Sequence, residues 1–467
     1  MIQDIQSIHF SGICGTAMAS CAAALKGQGY QVTGSDQGAY PPMSTFLESQ
    51  GIPISSPYVE SNLAHAPDLV VIGNALSRGN PEVEYVLDNK LPYCSLPELL
   101  KEFFIRGKRS IVISGTHGKT TTTSLMAWVF ESSGLNPSFL IGGVPHNFGY
   151  GARFTDSPWI ILEGDEYDTA FFDKRSKFIH YLPEIAIINN LEFDHADIFT
   201  DLEAIQLSFK RFINIVPRNG LLLVNGDEPN LAPLIKVDHC PIQSFGIENN
   251  HDSEATEIQL GKTGSQFDVH GDTYQLPMVG QLNIRNALAV IACARHCGIP
   301  VEQIQKGLAT FTGIKRRLEI RATVNDITII DDFGHHPTAI KETIDALRVA
   351  YPEQRLWVAF EPRSNTTRRN IFQSDLANAL SLADGVLISQ VARLHLIEED
   401  QRLDPEQLVA DIRQQGKPCE YAESADSICA YLAEKTTPGD VVCIFSNGSF
   451  DDLHNKLELA LAEQISG

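Results

Sequence analysis

Ser110-Ile111-Val112-Ile113-Ser114-Gly115-Thr116-His117-Gly118-Lys119-Thr120-Thr121 is the stretch that decides how this chain folds. An apolar, β-branched run ahead of a glycine turn predicts a buried parallel strand, and the sequence beyond predicts a helix over residues 121–132. Such a junction leaves free backbone N–H groups at a helix N-terminus, where an anion is held. The glycines let the backbone wrap a phosphate chain, Lys119 reaches its terminal oxygens, and the Thr120 hydroxyl suits a magnesium ion. The usual motif has a glycine at the place of Ile113, so this loop is a shortened variant. It reads as a triphosphate site rather than a structural turn.

Downstream, Trp159-Ile160-Ile161-Leu162-Glu163 is a predicted strand ending in an acid, followed by Gly164-Asp165-Glu166-Tyr167-Asp168. Ile185-Ala186-Ile187-Ile188-Asn189-Asn190 is another, leading into Leu191-Glu192-Phe193-Asp194-His195. Alone, these acids read as a solvated loop and His195 as a helix cap. Beside a phosphate loop they supply the hard ligands of a Mg²⁺ site. Residues 244–278 alternate polar and apolar, which predicts antiparallel strands inserted at one side of this domain, and helical sequence resumes at Asn283. Cys293 and Cys297 flank His296 on that helix, but no second Cys/His pair with zinc spacing accompanies them.

Upstream, Ile8-His9-Phe10 is a short strand, then Ser11-Gly12-Ile13-Cys14-Gly15-Thr16-Ala17-Met18 opens an alanine-rich helix. A second strand, Tyr30 to Gly34, ends in Ser35-Asp36. The glycine run is G-x-x-G, lacking the glycine that a dinucleotide fingerprint wants at Cys14. A nucleotide or phosphate ligand and a tight structural turn both remain open here, as does an NAD reading with Asp36 on the ribose. The strand Asp68-Leu69-Val70-Val71-Ile72 runs into a polar loop holding Asn74 and Ala75, at the carboxyl end where open parallel sheets bind ligands. After Gly313-Ile314-Lys315-Arg316-Arg317, fresh strands at 326–332, 356–360, 385–388 and 440–445 alternate with helices and predict a third parallel-sheet domain.

With 467 residues, a soft prior of about 150 per domain also gives roughly three domains. Thirty-six basic against 58 acidic residues leave a net charge of −22, which argues against nucleic acid and anionic membranes as partners. The apolar fraction of 43% and charged fraction of 20% are those of a folded soluble chain. No apolar stretch spans a bilayer, the start Met1-Ile2-Gln3-Asp4-Ile5-Gln6 does not look like a secretion signal, and nine scattered cysteines suit a reducing compartment, so a cytoplasmic location is expected.

In order along the chain, residues 115–121, the acidic turn 163–168, Asp194-His195, Asn283 with Asn286, Arg317 and Asp332-Phe333-Gly334-His335-His336-Pro337 resemble the motifs of the Mur ligase family of cell-wall enzymes. The resemblance implies an α/β chain of three domains: a Rossmann-like UDP-sugar domain (1–107), a P-loop ATP domain with a small β insertion (108–313), and a Rossmann-like peptide-binding domain (314–467). It implies ATP-dependent activation of a carboxylate as an acyl phosphate that an amine then displaces.

Within the family, the first domain and residues 332–337 look like the branch acting on UDP-N-acetylmuramic acid. One member of that branch adds L-alanine; the other, in cell-wall peptide recycling, adds a preformed tripeptide, L-alanyl-gamma-D-glutamyl-meso-diaminopimelate. Residues 166–178, 360–366 and 445–450 look like the second, and Pro362-Arg363-Ser364-Asn365-Thr366-Thr367 stands where the L-alanine branch carries Pro-His-Arg-Tyr-Thr-Arg.

The resemblance assigns Gly115, Thr116, His117, Gly118, Lys119, Thr120, Thr121, Asn283, Asn286, Arg317 and Asp332 to ATP, and Thr120, Glu163 and His195 to Mg²⁺. Lys119, Glu163, His195 and Arg317 become the catalytic set. Gly12, Cys14, Gly15, Thr16, Ala17, Met18, Ser35, Asp36, Asn74 and Ala75 go to the UDP-sugar, and His335 and Arg363 to the peptide. Leu282 stands where relatives often have His, Gly164 replaces a common Ala, and Lys210 is one position out of register for a carbamylated lysine. A hinge near residues 313–317 and a monomer or weak dimer are expected.

Overall fold

Strands such as Leu69–Ile72, Ile185–Ile188 and Val441–Phe445 are buried at every position, the pattern of parallel sheets covered on both faces. In this computed structural model, which describes residues 5–40, 43–248, 250–391 and 394–463, they lie in three separate sheets. Residues 1–4, part of the secretion-signal reading, lie outside the described residues.

The first sheet has five parallel strands in the order Ile54–Ser55, Gln31–Ser35, Ser7–Ser11, Leu69–Ile72, Tyr93–Ser95. Its first strand feeds helix Thr16–Gly27 through a turn whose Gly12 adopts φ +90°, with Gly12 and Ile13 both donating to the Ser35 carbonyl at 2.8 and 3.0 Å. That close approach requires Gly34, because a Cβ there would overlap Ile13 and lie 2.9 Å from the Phe10 carbonyl oxygen. Gly34→Ala should therefore destabilise by about 1–3 kcal/mol and open the turn. Thermal melting together with UDP-sugar titration checks this, and an unchanged melt would remove the packing argument.

The central sheet has eight strands in the order 253–254, 242–246, 221–225, 185–188, 109–114, 159–164, 138–140, 152–153, all parallel except the last. Ile242–Gly246 corrects the expected all-antiparallel insertion: it is a parallel member of this sheet. Near the sheet edge it is only half-buried, so its polar alternation imitates an antiparallel strand. The antiparallel insert is the three-stranded sheet Thr256–Leu260, Ser265–Val269, Asp272–Leu276. The phosphate-loop helix spans Lys119–Ser132 and the later one Gln281–His296, both starting two residues earlier than their sequence suggests. All nine cysteines are free thiols.

The third sheet runs Glu319–Val324, Ile327–Asp332, Val441–Phe445, Leu356–Phe360, Gly385–Ser389, Cys419–Ala422, with only the first strand antiparallel. The first unit docks on the central one through rings, Phe104 on Phe154 at 4.1 Å and Tyr93 on Phe172 at 4.9 Å. The chain enters the third unit through a segment tied to the loop after 138–140: His146 N–H donates to Gly313 at 3.0 Å and Lys315 N–H to Val144 at 3.1 Å. Positive φ at Gly313, Arg316 and Leu318 (+85°, +62°, +49°) turns that segment sharply. Among the described residues, no helix is long and apolar enough to cross a membrane.

Candidate active site

The carboxyl ends of the central strands and the entry to the third unit enclose a cavity of about 820 Å³. Its floor is the phosphate loop. Gly118 adopts φ +76° so that the chain can turn into the helix at Lys119, and a Cβ there would overlap Asn286 Oδ1. No side chain caps this helix, which leaves its first N–H groups aimed at an incoming anion. Asn189 Oδ1, also lining the cavity, is buried without a hydrogen-bond partner.

Lys119 Nζ lies 2.8 and 2.9 Å from the two oxygens of Glu166 and donates to the Gly115 carbonyl at 2.6 Å. His195 Nε2 donates to Glu166 Oε1 at 2.8 Å. Burial alone would raise the Glu166 pKa, but Lys119 and His195 outweigh it and hold the carboxyl below its ordinary value. Lys119 is thus neutralised by a buried carboxylate in this structure.

Glu163 accepts from Thr120 Oγ1 at 2.9 Å and from Gly142 N–H at 2.7 Å. Burial pushes its pKa up, and among the described residues no basic side chain lies within ion-pair distance of it. A buried carboxylate beside a hydroxyl, short of a cation, is a donor set that a hard divalent ion fits.

The opposite wall comes from the third unit. Arg317 lies over the Phe333 ring at 4.9 Å and faces the cavity. Asp332 is buried with both oxygens accepting backbone N–H groups, from Leu318 at 2.8 Å and Gly334 at 2.7 Å. In this arrangement both its oxygens are engaged by the backbone of the segment entering the third unit, where the sequence reading has them contacting a ribose. His335 lies 3.8 Å from Asp194, and Arg363 bonds Glu361 at 3.3 Å beside Gly448, whose missing Cβ makes room for the guanidinium.

Bonds across the gap hold the two walls together. Thr338 Oγ1 donates to Glu192 at 2.8 Å, His336 Nε2 to the Phe193 carbonyl at 3.1 Å, and Thr366 Oγ1 to Asp194 at 2.6 Å. Burial alone would raise the Glu192 pKa. A hydrogen bond and charge from His117 and the Thr338 hydroxyl together lower it below its ordinary value near 4.5. A depressed carboxylate contributes stability above its unfolded pKa and loses it as pH falls through the folded value. Glu192→Gln should therefore be less stable than the parent at pH 7 by about 2 kcal/mol, with the gap closing below pH 4.5. Melting curves at both ends of that range test this; a gap independent of pH would refute it.

Residues 115–121 form this floor, though Gly115 lies beneath it, where a Cβ would meet Asn190 N at 3.0 Å. Asn283 and Asn286 also line the cavity, but their amides are engaged, Asn283 Nδ2 with the Val279 carbonyl at 2.8 Å and Asn286 Oδ1 with Thr122 at 3.1 Å. Leu282 is there too, while Lys210 is exposed on helix Leu202–Asn214, outside the cavity lining.

The UDP-sugar set forms a second cluster on the first sheet. Cys14 N–H donates to Asp36 at 2.9 Å, and Gly12, Gly15, Thr16, Ala17, Asn74 and Ala75 surround the same strand ends. Two members turn inward: Met18 packs in the core and Ser35 Oγ donates to buried Glu82 at 2.6 Å. Their side chains are unavailable to a ligand.

The Mur ligase family catalytic domain matches residues 7–108, the Mur ligase middle domain 113–294, and the Mur ligase glutamate ligase domain 316–448. The chain belongs to the Mur ligase family. It is 45% identical over 464 residues to the UDP-N-acetylmuramate–L-alanyl-gamma-D-glutamyl-meso-2,6-diaminoheptandioate ligase of Haemophilus influenzae, covering 97% of this chain and 98% of that one. The Escherichia coli protein of that name is 41% identical, with 98% of each covered. The crystal structure of a murein peptide ligase from Psychrobacter arcticus superposes with a TM-score of 0.72 at 36% identity, covering 98% of this chain and 99% of that one.

For this Mur ligase, sequence reasoning grouped Glu166 and Glu192 with the candidate Mg²⁺ acids but missed the partners each meets, and it missed Asn189 altogether. Glu166 was visible in an acidic turn, but which of its acids meets Lys119 depends on how the turn folds. Asn189 ends a strand whose pairing places it under the loop, a contact without a local signature.

Proposed function

We propose that this protein joins L-alanyl-gamma-D-glutamyl-meso-diaminopimelate to UDP-N-acetylmuramic acid at the cost of ATP, in the cytoplasm. The observation that carries this reading is the 45% identity across nearly the whole chain to a ligase of that name. The geometry supports it: a phosphate floor on one unit faces a basic wall with Arg317 and Arg363 on another.

In the proposed reaction, an oxygen of the muramyl carboxylate attacks the γ-phosphorus of ATP and the bond to the ADP oxygen breaks. The peptide amine then attacks the acyl carbon, phosphate leaves with the C–O electron pair, and the amine gives up a proton. Lys119 moves from Glu166 to the terminal phosphate, and the uncapped helix holds the neighbouring oxygens. Thr120, Glu163 and His195 would hold Mg²⁺, which when bound neutralises phosphate charge. Asn283, Asn286 and Arg317 face the nucleotide, and His335 and Arg363 the peptide. Gly12, residues 14–18, 35–36 and 74–75 hold the UDP-sugar, with Met18 and Ser35 contributing backbone only. Walls that meet across Glu192 and Asp194 keep water from the acyl phosphate.

The test compares amines. ADP release with UDP-N-acetylmuramic acid should saturate with the tripeptide and stay at background with free L-alanine. Saturation with L-alanine alone would move the protein to the L-alanine branch.

A further inference from the structure

One group of ligand-type side chains beside the cavity is assigned no metal in the reaction above. His117 Nε2 lies 3.1 Å and His336 Nδ1 3.3 Å from the same atom, Glu192 Oε2. One donor atom from each of the three lies within 4.8 Å of the others.

The tautomer of His336 is set by its surroundings. Its Nε2 faces the Phe193 carbonyl at 3.1 Å, which can only accept, so Nε2 carries the proton. Nδ1 uses its one lone pair to accept from Thr338 N–H at a long 3.3 Å, with Glu192 Oε2 also 3.3 Å away. Nδ1 and the carboxylate oxygen are therefore two acceptors in close approach with no proton between them. A cation is what such a pair lacks. The two spacings to Glu192 match the edge of a tetrahedron with bonds of about 2.0–2.1 Å, roughly 3.3 Å, and two imidazoles with one carboxylate favour zinc-class ions over magnesium. Glu192 is part-exposed, and His117 and His336 line the cavity.

We propose that His117, Glu192 and His336 form a site for a zinc-class divalent ion, separate from Thr120, Glu163 and His195. His117 belongs to the phosphate loop, Glu192 follows a central strand, and His336 caps helix Pro337–Ala350 of the third unit. An ion there ties the third unit to the phosphate loop, so it holds the walls shut and inhibits turnover.

The test uses the full chain, stripped by chelator and titrated with ZnCl₂ against a chromophoric chelator, without Mg²⁺ or nucleotide. One equivalent should bind to the parent, and at least about tenfold more weakly to Glu192→Gln and to His336→Asn. Asn keeps a side-chain acceptor for the helix cap. Absence of a one-equivalent site, or equal affinity in either variant, overturns the proposal. Zinc held by Glu163 and His195 instead would give the latter result. Co²⁺ titration of the parent provides a check independent of folding in the variants: strong visible absorption supports a four-coordinate nitrogen-containing site, and the faint absorption of a six-oxygen site overturns it. Inhibition of ADP release by zinc, absent in His336→Asn, rests on the proposed ligase reading. The binding arms do not, so the failure of either is distinguishable.

Discussion

Lys119→Ala is expected to reduce ADP release by on the order of 10³-fold while UDP-sugar affinity stays within about twofold. The first effect follows from charge: Lys119 is the cation at the end of the loop, and among the described residues no basic side chain but His195 also contacts Glu166. The second follows from distance in the fold, since the UDP-sugar cluster sits on a different sheet from the loop. Truncating Lys119 also leaves a buried carboxylate without its main partner, which costs about 3–5 kcal/mol unless it protonates. Lys119→Ala combined with Glu166→Gln should therefore melt higher than Lys119→Ala alone yet remain inactive. If the double variant regained turnover, Lys119 would be a structural partner of Glu166 and not the phosphate ligand. Product assays and thermal melting on the same three proteins decide it.

Glu163→Gln is expected to cut turnover by about 10²–10³-fold and to raise the Mg²⁺ needed for half-activation by more than about tenfold. The amide retains size and one acceptor oxygen for Thr120 or Gly142, so what it removes is charge. Stability should move the other way. Burial raises the Glu163 pKa, so in metal-free protein the folded state holds its proton more tightly than the unfolded chain. Stability of the parent then falls as pH rises from its ordinary value near 4.5 towards the raised folded value, and Gln escapes that loss. In chelator at neutral pH, the variant should melt at or above the parent. A lower melt, or an unchanged Mg²⁺ requirement, would show that Glu163 serves the fold and not an ion.

Most of the architecture was legible because its signals are local. The runs Ile111-Val112-Ile113, Ile185-Ala186-Ile187-Ile188 and Val441-Val442-Cys443-Ile444 can only be satisfied where both faces are covered, and each became a central strand. The phosphate loop was equally local, since glycine torsions, a lysine and a hydroxyl act within six residues. Ile242–Gly246 was misread because its partial exposure at the sheet edge overrode its backbone partners. Asp332 and Met18 show the same limit at the site: a motif places a residue near a ligand but does not say which way its side chain turns.

By itself, the sequence determined three α/β units, a phosphate-binding loop and a set of acids and basic groups able to serve it, because strand burial, glycine torsion and residue chemistry are properties of short segments. Only the tertiary structure decided which charges meet. Lys119 reaches Glu166 across 47 positions, Glu192 meets Thr338 across 146, and Asp194 meets Thr366 across 172. Those pairings depend on sheet order and on the sharp turn at residues 313–318, and electrostatic energy depends on separation in space and on burial, neither of which is written in the spacing of residues along a chain.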